Sequence, residues 1–419
     1  MTSSLLNKDF SPSVKVKPKY NQPLEALRGF AALGVFLVHG LGQNWLDFTV
    51  KAKGIISYLS VGGLAVYIFF MLSGYVIGLG AFKEEHFYVR SFYTKRLIRL
   101  YPAYLFAFLF LLILGTENKV WETIGNLFML QNNLPYLTIK IPVEPHLSPI
   151  WSINYEVFYY LHFPLIFIYK PRIITITILL AAIAIMGYHF SLIPMFITDY
   201  AIGYIFWLFG LGICWFFATS EKVSYSFLSY MFLLISYNHF AFGAVFLKGL
   251  HLFNENKHSL GLETLWNLPL CILVISDVSG RLLPYRRLFV VIAYLMPIFL
   301  VIYLLITKRL FEDTRWIACN LFYTISIILF FERKYSKILL NSLSFIGGIS
   351  YAIYIFHWPL MLIVNKYYPY SGTMSAYLQK FVIWTVLTFC LAFFMEKVTQ
   401  PRIRAFLLKS NSVNNQQLS

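Results

Sequence analysis

The chain has 419 residues, of which 59% are hydrophobic, 19% aromatic and only 12% charged, against about 25% charged in an ordinary soluble domain. That balance excludes a soluble globular enzyme, a disordered chain, a collagenous repeat and a disulfide-stapled scaffold, each of which needs an excess of charge, Pro/Gly or cysteine. The net charge of +16, from 34 Lys and Arg against 18 Asp and Glu, sits between apolar stretches and reads as a positive-inside bias, with no nucleic acid as partner.

Apolar runs long enough to cross a bilayer recur along almost the whole chain, and they predict an all-α, polytopic transmembrane helical bundle of about ten to twelve spans. Residues 1–23 are basic, and the first apolar run after them holds Arg28 and lacks a small-residue cleavage site, so it reads as a retained span. Candidate spans cover residues 24–44, 60–82, 98–116, 150–169, 172–190 and 199–218, then 225–247, 263–280, 288–307, 316–331, 343–365 and 376–396. Loop charge orients them. Basic loops carry Lys83, Arg90, Lys95 and Arg96, then Lys170 and Arg172, then Arg281, Arg286 and Arg287, whereas the loop 117–149 carries Glu117, Glu122 and Glu144. Both ends are therefore expected inside, with a cytoplasmic segment 1–23, a transmembrane domain 24–397 and a cytoplasmic tail 398–419. The four cysteines, Cys214, Cys271, Cys319 and Cys390, fall within apolar segments without metal-ligand spacing and read as buried, reduced thiols; no metal is implied.

Charged groups inside spans are costly and draw attention to themselves. In the first span Arg28 and His39 are eleven residues apart, which at about 100° and 1.5 Å per residue puts them on nearly one helix face, roughly 16 Å apart in height. Taken singly, Arg28 also reads as a snorkelling edge arginine and His39 as a packing histidine. The third span opens YTKRLIRLYP, where Arg96 and Arg99 at i, i+3 share a face. Two planar guanidiniums there suit a ligand with several phosphates, or lipid head groups. Glu156 lies in WSINYEVFYYL, and His357 in GGISYAIYIFHWPL, each inside its own span. The aromatic residues Trp151, Tyr155, Tyr159 and Tyr160 offer faces for a sugar ring or for helix packing. In YIFFMLSGYVIG, Ser73, Gly74 and Gly78 are small residues that let helices approach closely; spacing gives Ser73 no base partner.

Together, LEALRGFAALGVFLVH, YIFFMLSGYVIG, KRLIRLYPAY, WSINYEVFYYL and GISYAIYIFHWPL resemble the motifs of the acyltransferase-3 family of integral membrane acyltransferases, and the resemblance covers most of the chain. It implies transfer of an acyl group, with acetyl the first expectation, from cytoplasmic acyl-CoA to a hydroxyl of a cell-surface carbohydrate, by a multi-pass protein of the cell (inner) membrane. It implies His39 as catalytic base or acyl carrier, Arg28 as needed for activity and for holding the donor, and Arg96 and Arg99 as binding acetyl-CoA. The family's fourth-span motif often carries a second acid; here Tyr155 precedes Glu156, which leaves Glu156 to orient His39 or the acceptor, with His357 assisting. Trp151, Tyr155 and Tyr159 are the expected acceptor-binding residues. A secondary transporter or channel that uses the same His, Glu and Arg groups as a proton or substrate pathway is the competing class, and such a protein would show related halves, which this sequence lacks.

Overall fold

In a computed structural model, the described residues are 21–42, 62–81, 87–131, 141–219, 226–250, 252, 260–308, 315–332, 334–369 and 372–407. The segment expected as residues 1–23 falls almost wholly outside them, as does the polar end of the tail. The described residues form helices in this order: α1 (Gln22–Gly42), α2 (Gly62–Ala81), α3 (Val89–Leu109), α4 (Val120–Leu127), α5 (Trp151–Tyr169), α6 (Ile173–Tyr188), α7 (Met195–Phe216) and α8 (Phe227–Phe240). There follow α9 (Phe242–Gly249), α10 (Leu268–Ser279), α11 (Arg286–Ile306), α12 (Arg315–Phe331), α13 (Lys334–Gly347), α14 (Ser350–Tyr367) and α15 (Met374–Phe393). Among the described residues there is no strand beyond one isolated bridge between Thr219 and Arg281.

Each of the twelve apolar segments thus contains helix among its described residues, and the segment 343–365 crosses the break between α13 and α14. Among the described residues, seven helices are by length and composition sufficient to cross a membrane singly, or up to nine if each of two bent pairs, α8 with α9 and α12 with α13, is one span. Helices α5 and α14, with 19 and 18 residues, are long enough but carry Ser, Asn, Glu, His and Tyr into the bundle, which lowers their mean hydropathy; α6, with 16 residues, is short. Helix α13 was not expected. It is amphipathic, with Lys334, Lys337 and Asn341 among its apolar residues, so it lacks the continuous apolar run that marks a span.

Two close crossings hold the bundle together. Where α2 meets α7, a β-carbon at Gly74 would lie 2.0 Å from the Trp207 carbonyl oxygen and one at Gly210 1.9 Å from that of Met71. Where α1 meets α13, a β-carbon at Gly29 would lie 1.9 Å from the Leu343 carbonyl oxygen and one at Gly347 1.8 Å from that of Glu25. Only glycine permits such backbone contact, the usual device for packing helices in lipid. The second crossing sets the height of Arg28, the neighbour of Gly29.

Prolines inside helices free carbonyls, and other side chains take them up. Pro102 offers no N–H to Ile98, and the Ile98 carbonyl instead accepts from Gln400 Nε2 at 2.5 Å. Pro297 likewise frees Ala293, whose carbonyl accepts from the Tyr237 hydroxyl at 2.6 Å. Three of the four cysteines are buried, and Cys390 is exposed, which corrects the expectation for that thiol.

Overpacking a tight crossing costs about 1–3 kcal/mol or more. Gly74→Val and Gly210→Val are therefore expected to lower the thermal midpoint of the detergent-purified protein. Gly249→Ala, with nothing within 4 Å of the added carbon, leaves it unchanged; equal midpoints in all three would contradict the crossing.

Candidate active site

A cavity of about 130 Å³ lies between α1, α2, α3, α5 and α14, and its wall carries Arg28, Ser73, Arg96, Arg99, Glu156, Tyr160, Tyr351 and Tyr354. Residues from five separate sequence motifs thus share one space. Helical phase explains which do so on α5: Ser152, Glu156 and Tyr160, at i, i+4 and i+8, all face the cavity.

The three arginines differ in how their charge is held. Arg28 Nη1 pairs with Glu25 Oε1 one turn away, at 2.8 Å. Arg99 Nη1 pairs with Glu396 Oε2 at 2.5 Å, and its guanidinium lies over the Tyr351 ring, 5.4 Å from the centroid. Arg96 has no carboxylate within ion-pair reach among the described residues. Its guanidinium sits 5.4 Å from the Phe92 centroid and 5.8 Å from that of Tyr160, and its buried Nε has no hydrogen-bond partner among the described residues. Cation–π contacts hold such a group in place while leaving its N–H donors unused. Arg96 is thus the cavity's uncompensated cation.

Glu156 is held differently: hydroxyls bond to it, and among the described residues no cation lies within ion-pair distance of it. Its Oε1 accepts from Ser73 Oγ at 2.7 Å and from the Tyr160 hydroxyl, and Ser73 and Tyr160 are themselves 3.2 Å apart. Spacing alone gave Ser73 no acidic or basic partner; the fold supplies Glu156. The carboxylate makes neither ion pair nor hydrogen bond to His39, so the orienting role expected for it toward that ring is not carried by direct contact.

His39 and His357 come together on a different storey. Their ring centroids are 5.2 Å apart, and Trp358 meets His39 edge-on at 5.0 Å. His357 is fully buried. Its Nδ1 donates to the Ile353 carbonyl at 3.1 Å, which leaves Nε2 as the acceptor of a neutral ring, and that nitrogen has no partner among the described residues. Trp384 Nε1 donates to the His357 carbonyl at 2.7 Å and stacks on Phe36, one turn before His39, so α15 braces both histidine-bearing helices. Neither histidine lines the arginine cavity. Tyr354 joins the two storeys: it lines the cavity and stands 6.1 Å from the His357 ring, centroid to centroid. Its hydroxyl is pinned by Ser152 and by the Pro149 carbonyl, both at 2.7 Å. Trp358 Nε1 in turn donates to the Pro145 carbonyl at 3.0 Å, tying the segment before α5 to the histidine pair.

The expected sugar-binding aromatics are placed otherwise. Tyr155 stacks between Tyr200, 4.0 Å away, and Phe70; Tyr159 stacks on Tyr204 at 4.8 Å. Both are at most 1% exposed, and neither lines the cavity. Trp151 meets Tyr155 edge-on. Tyr155 and Tyr159 share the α5 face turned toward α7, so their rings serve packing, while Tyr160 turns to the cavity.

The family model described as an acyltransferase domain matches residues 21–397. The chain is similar to O-acetyltransferase OatA of Staphylococcus aureus, with 26% identity over 97% of this chain and 62% of that protein. It is also similar to acyltransferase MdmB of Streptomyces mycarofaciens, with 31% identity over 34% of this chain and 38% of that protein. The chain therefore spans less than two thirds of the length of these relatives. No solved structure matches it. With the family's motifs gathered around one cavity and one histidine pair, and the match running nearly end to end, the chain belongs to the acyltransferase-3 family.

Proposed function

We propose that this protein, in the cell (inner) membrane, moves an acetyl group from acetyl-CoA to a hydroxyl of a cell-surface carbohydrate, with His39 as the general base. The observation that carries the reading is the uncompensated Arg96 beside Arg28 and Arg99 on one cavity wall, with a histidine pair one storey away. Phosphates of the donor meet the guanidiniums in the charge-assisted geometry for which arginine is suited. From Ser350 on the cavity wall, seven residues of α14 rise roughly 10 Å to His357, and the arm that links nucleotide and thioester spans that distance past Tyr354. His39, neutral, takes the proton of the acceptor hydroxyl as it attacks the thioester carbonyl; the carbon–sulfur bond breaks and CoA leaves as the thiol on taking a proton. His357 holds the His39 ring from the side. Glu156, with Oε1 occupied by Ser73 and Tyr160, serves the cavity as its only lining carboxylate among the described residues, and the names of the O-acetyltransferase relatives support acetyl as the group moved.

The test supplies radiolabelled acetyl-CoA to membranes of the producing cells and follows label into polysaccharide. Loss of a general base costs typically 10²–10⁴-fold, so His39→Ala at normal protein level is expected to lose at least about a hundredfold in transfer. Unimpaired transfer rules out the role given to His39, and label moving across the membrane unaltered favours a transporter.

A second measurement separates a phosphate site from diffuse surface charge. Arg96→Ala is expected to raise the KM for acetyl-CoA by about tenfold or more, whereas Lys95→Ala, on the exposed face of α3, changes it less than about twofold. Equal effects would mean that the cations act only as a membrane-facing patch.

A further inference from the structure

Directly after α15 the helix departs from α geometry. Residues Phe394–Thr399 form a π-helical segment, in which the Gln400 amide bonds to the Met395 carbonyl five residues back, inside a helical run that extends from Met374 to Leu407. π segments widen a helix by one inserted residue and redirect side chains, often at functional sites. Here the segment and its end lay two side chains, a turn apart, on the same part of α3. Glu396 Oε2 meets Arg99 Nη1 at 2.5 Å, and Gln400 Nε2 meets the Ile98 carbonyl at 2.5 Å, the carbonyl that Pro102 leaves open.

The ion pair is unlike the structural one elsewhere in the molecule. Arg286 grips both oxygens of Asp277, at 2.7 and 2.6 Å. Arg99 uses a single nitrogen on a single oxygen; Glu396 Oε1 is buried with no partner among the described residues. The Glu396 side chain is 5% exposed, whereas that of Arg99 is 42% exposed and lines the cavity. The remaining guanidinium donors make no hydrogen bond among the described residues, and Tyr351 covers the guanidinium face while its own hydroxyl is fixed on the Leu100 carbonyl at 2.9 Å. One edge of Arg99 is thus clamped from the protein side and the rest is left for a ligand.

We propose that Glu396 is a positioning residue, which acts through Arg99: the π segment delivers a carboxylate that fixes the guanidinium so that its free N–H edge meets the anionic end of the donor. This rests on reading the cavity as the donor site. Glu396 need not yield to the ligand, because a guanidinium has five donors and the pair occupies one.

The test uses the full chain purified in detergent and measures binding of radiolabelled acetyl-CoA by scintillation proximity, which needs no acceptor. Glu396→Ala weakens binding about tenfold, while Glu396→Gln, which keeps an oxygen for Nη1, stays within about threefold of the native protein. In an Arg99→Ala background, Glu396→Ala has no further effect, since the residue it orients is gone. Unchanged binding in Glu396→Ala, effects that multiply in the double variant, or tighter binding in both Ala and Gln variants would each overturn the assignment; the last would make Glu396 a competitor of the donor. A readout independent of the donor is phenylglyoxal modification followed by mass spectrometry. Arg99 is expected to react several-fold faster in Glu396→Ala than in the native protein, with Arg96 unchanged as internal reference, and an unchanged Arg99 rate overturns the clamp. If Arg96→Ala leaves acetyl-CoA binding intact, the donor reading fails, and the modification rates still decide whether Glu396 positions Arg99.

Discussion

A guanidinium buried in a helical membrane bundle has to be paired, stacked or turned toward a polar ligand, because the surrounding hydrocarbon offers it no water. Each of the three cavity arginines meets that requirement in its own way. Arg28 leans on a carboxylate of its own helix, Arg99 on a carboxylate brought from the far end of the chain, and Arg96 on two aromatic faces. This uneven neutralisation gives the cavity its direction: an anion entering it finds its least compensated partner at Arg96, with Arg28 and Arg99 already aligned beside it.

The same economy governs the backbone. Pro102 sits between Arg96 and Arg99 on one side and the rest of α3 on the other, and the carbonyls around it are taken by Gln400 and Tyr351. The segment that carries the two arginines is therefore not a free-standing helix end but one surface of a three-helix joint made with α14 and the π segment after α15. Glycine crossings at Gly29 with Gly347 and at Gly74 with Gly210 let the helices that bear Arg28 and Ser73 come close enough for the cavity to form.

How much of this could be read from the sequence depends on the kind of signal. Apolar length revealed every long helix, and helix phase put Arg96 and Arg99 on one face. The amphipathic α13 escaped because Lys334, Lys337 and Asn341 interrupt its apolar pattern, although Gly347 lies in a motif already noticed. On α5, the aromatic residues were legible but not their roles. Tyr155 and Tyr159 fall on the packing face, Glu156 and Tyr160 on the cavity face, and a comparison of i, i+4 pairs separates the two sets without any coordinates. Glu396 was beyond reach: it lies 297 residues from Arg99, and the π segment that carries it shifts the helical phase from which a pairing would be argued. The histidine pair is intermediate, since His39 and His357 were each singled out by burial in a span, while their contact depends on how α1 and α14 lie side by side.

The central claim is that one path runs from the arginine cavity past Tyr354 to the paired histidines. A cryo-electron microscopy structure of the protein with CoA bound tests it most directly. The nucleotide phosphates should lie against Arg96, with the thiol end beyond Tyr354 on the His39 side. CoA seated on another face of the bundle, or with its thiol turned away from the histidine pair, would contradict it.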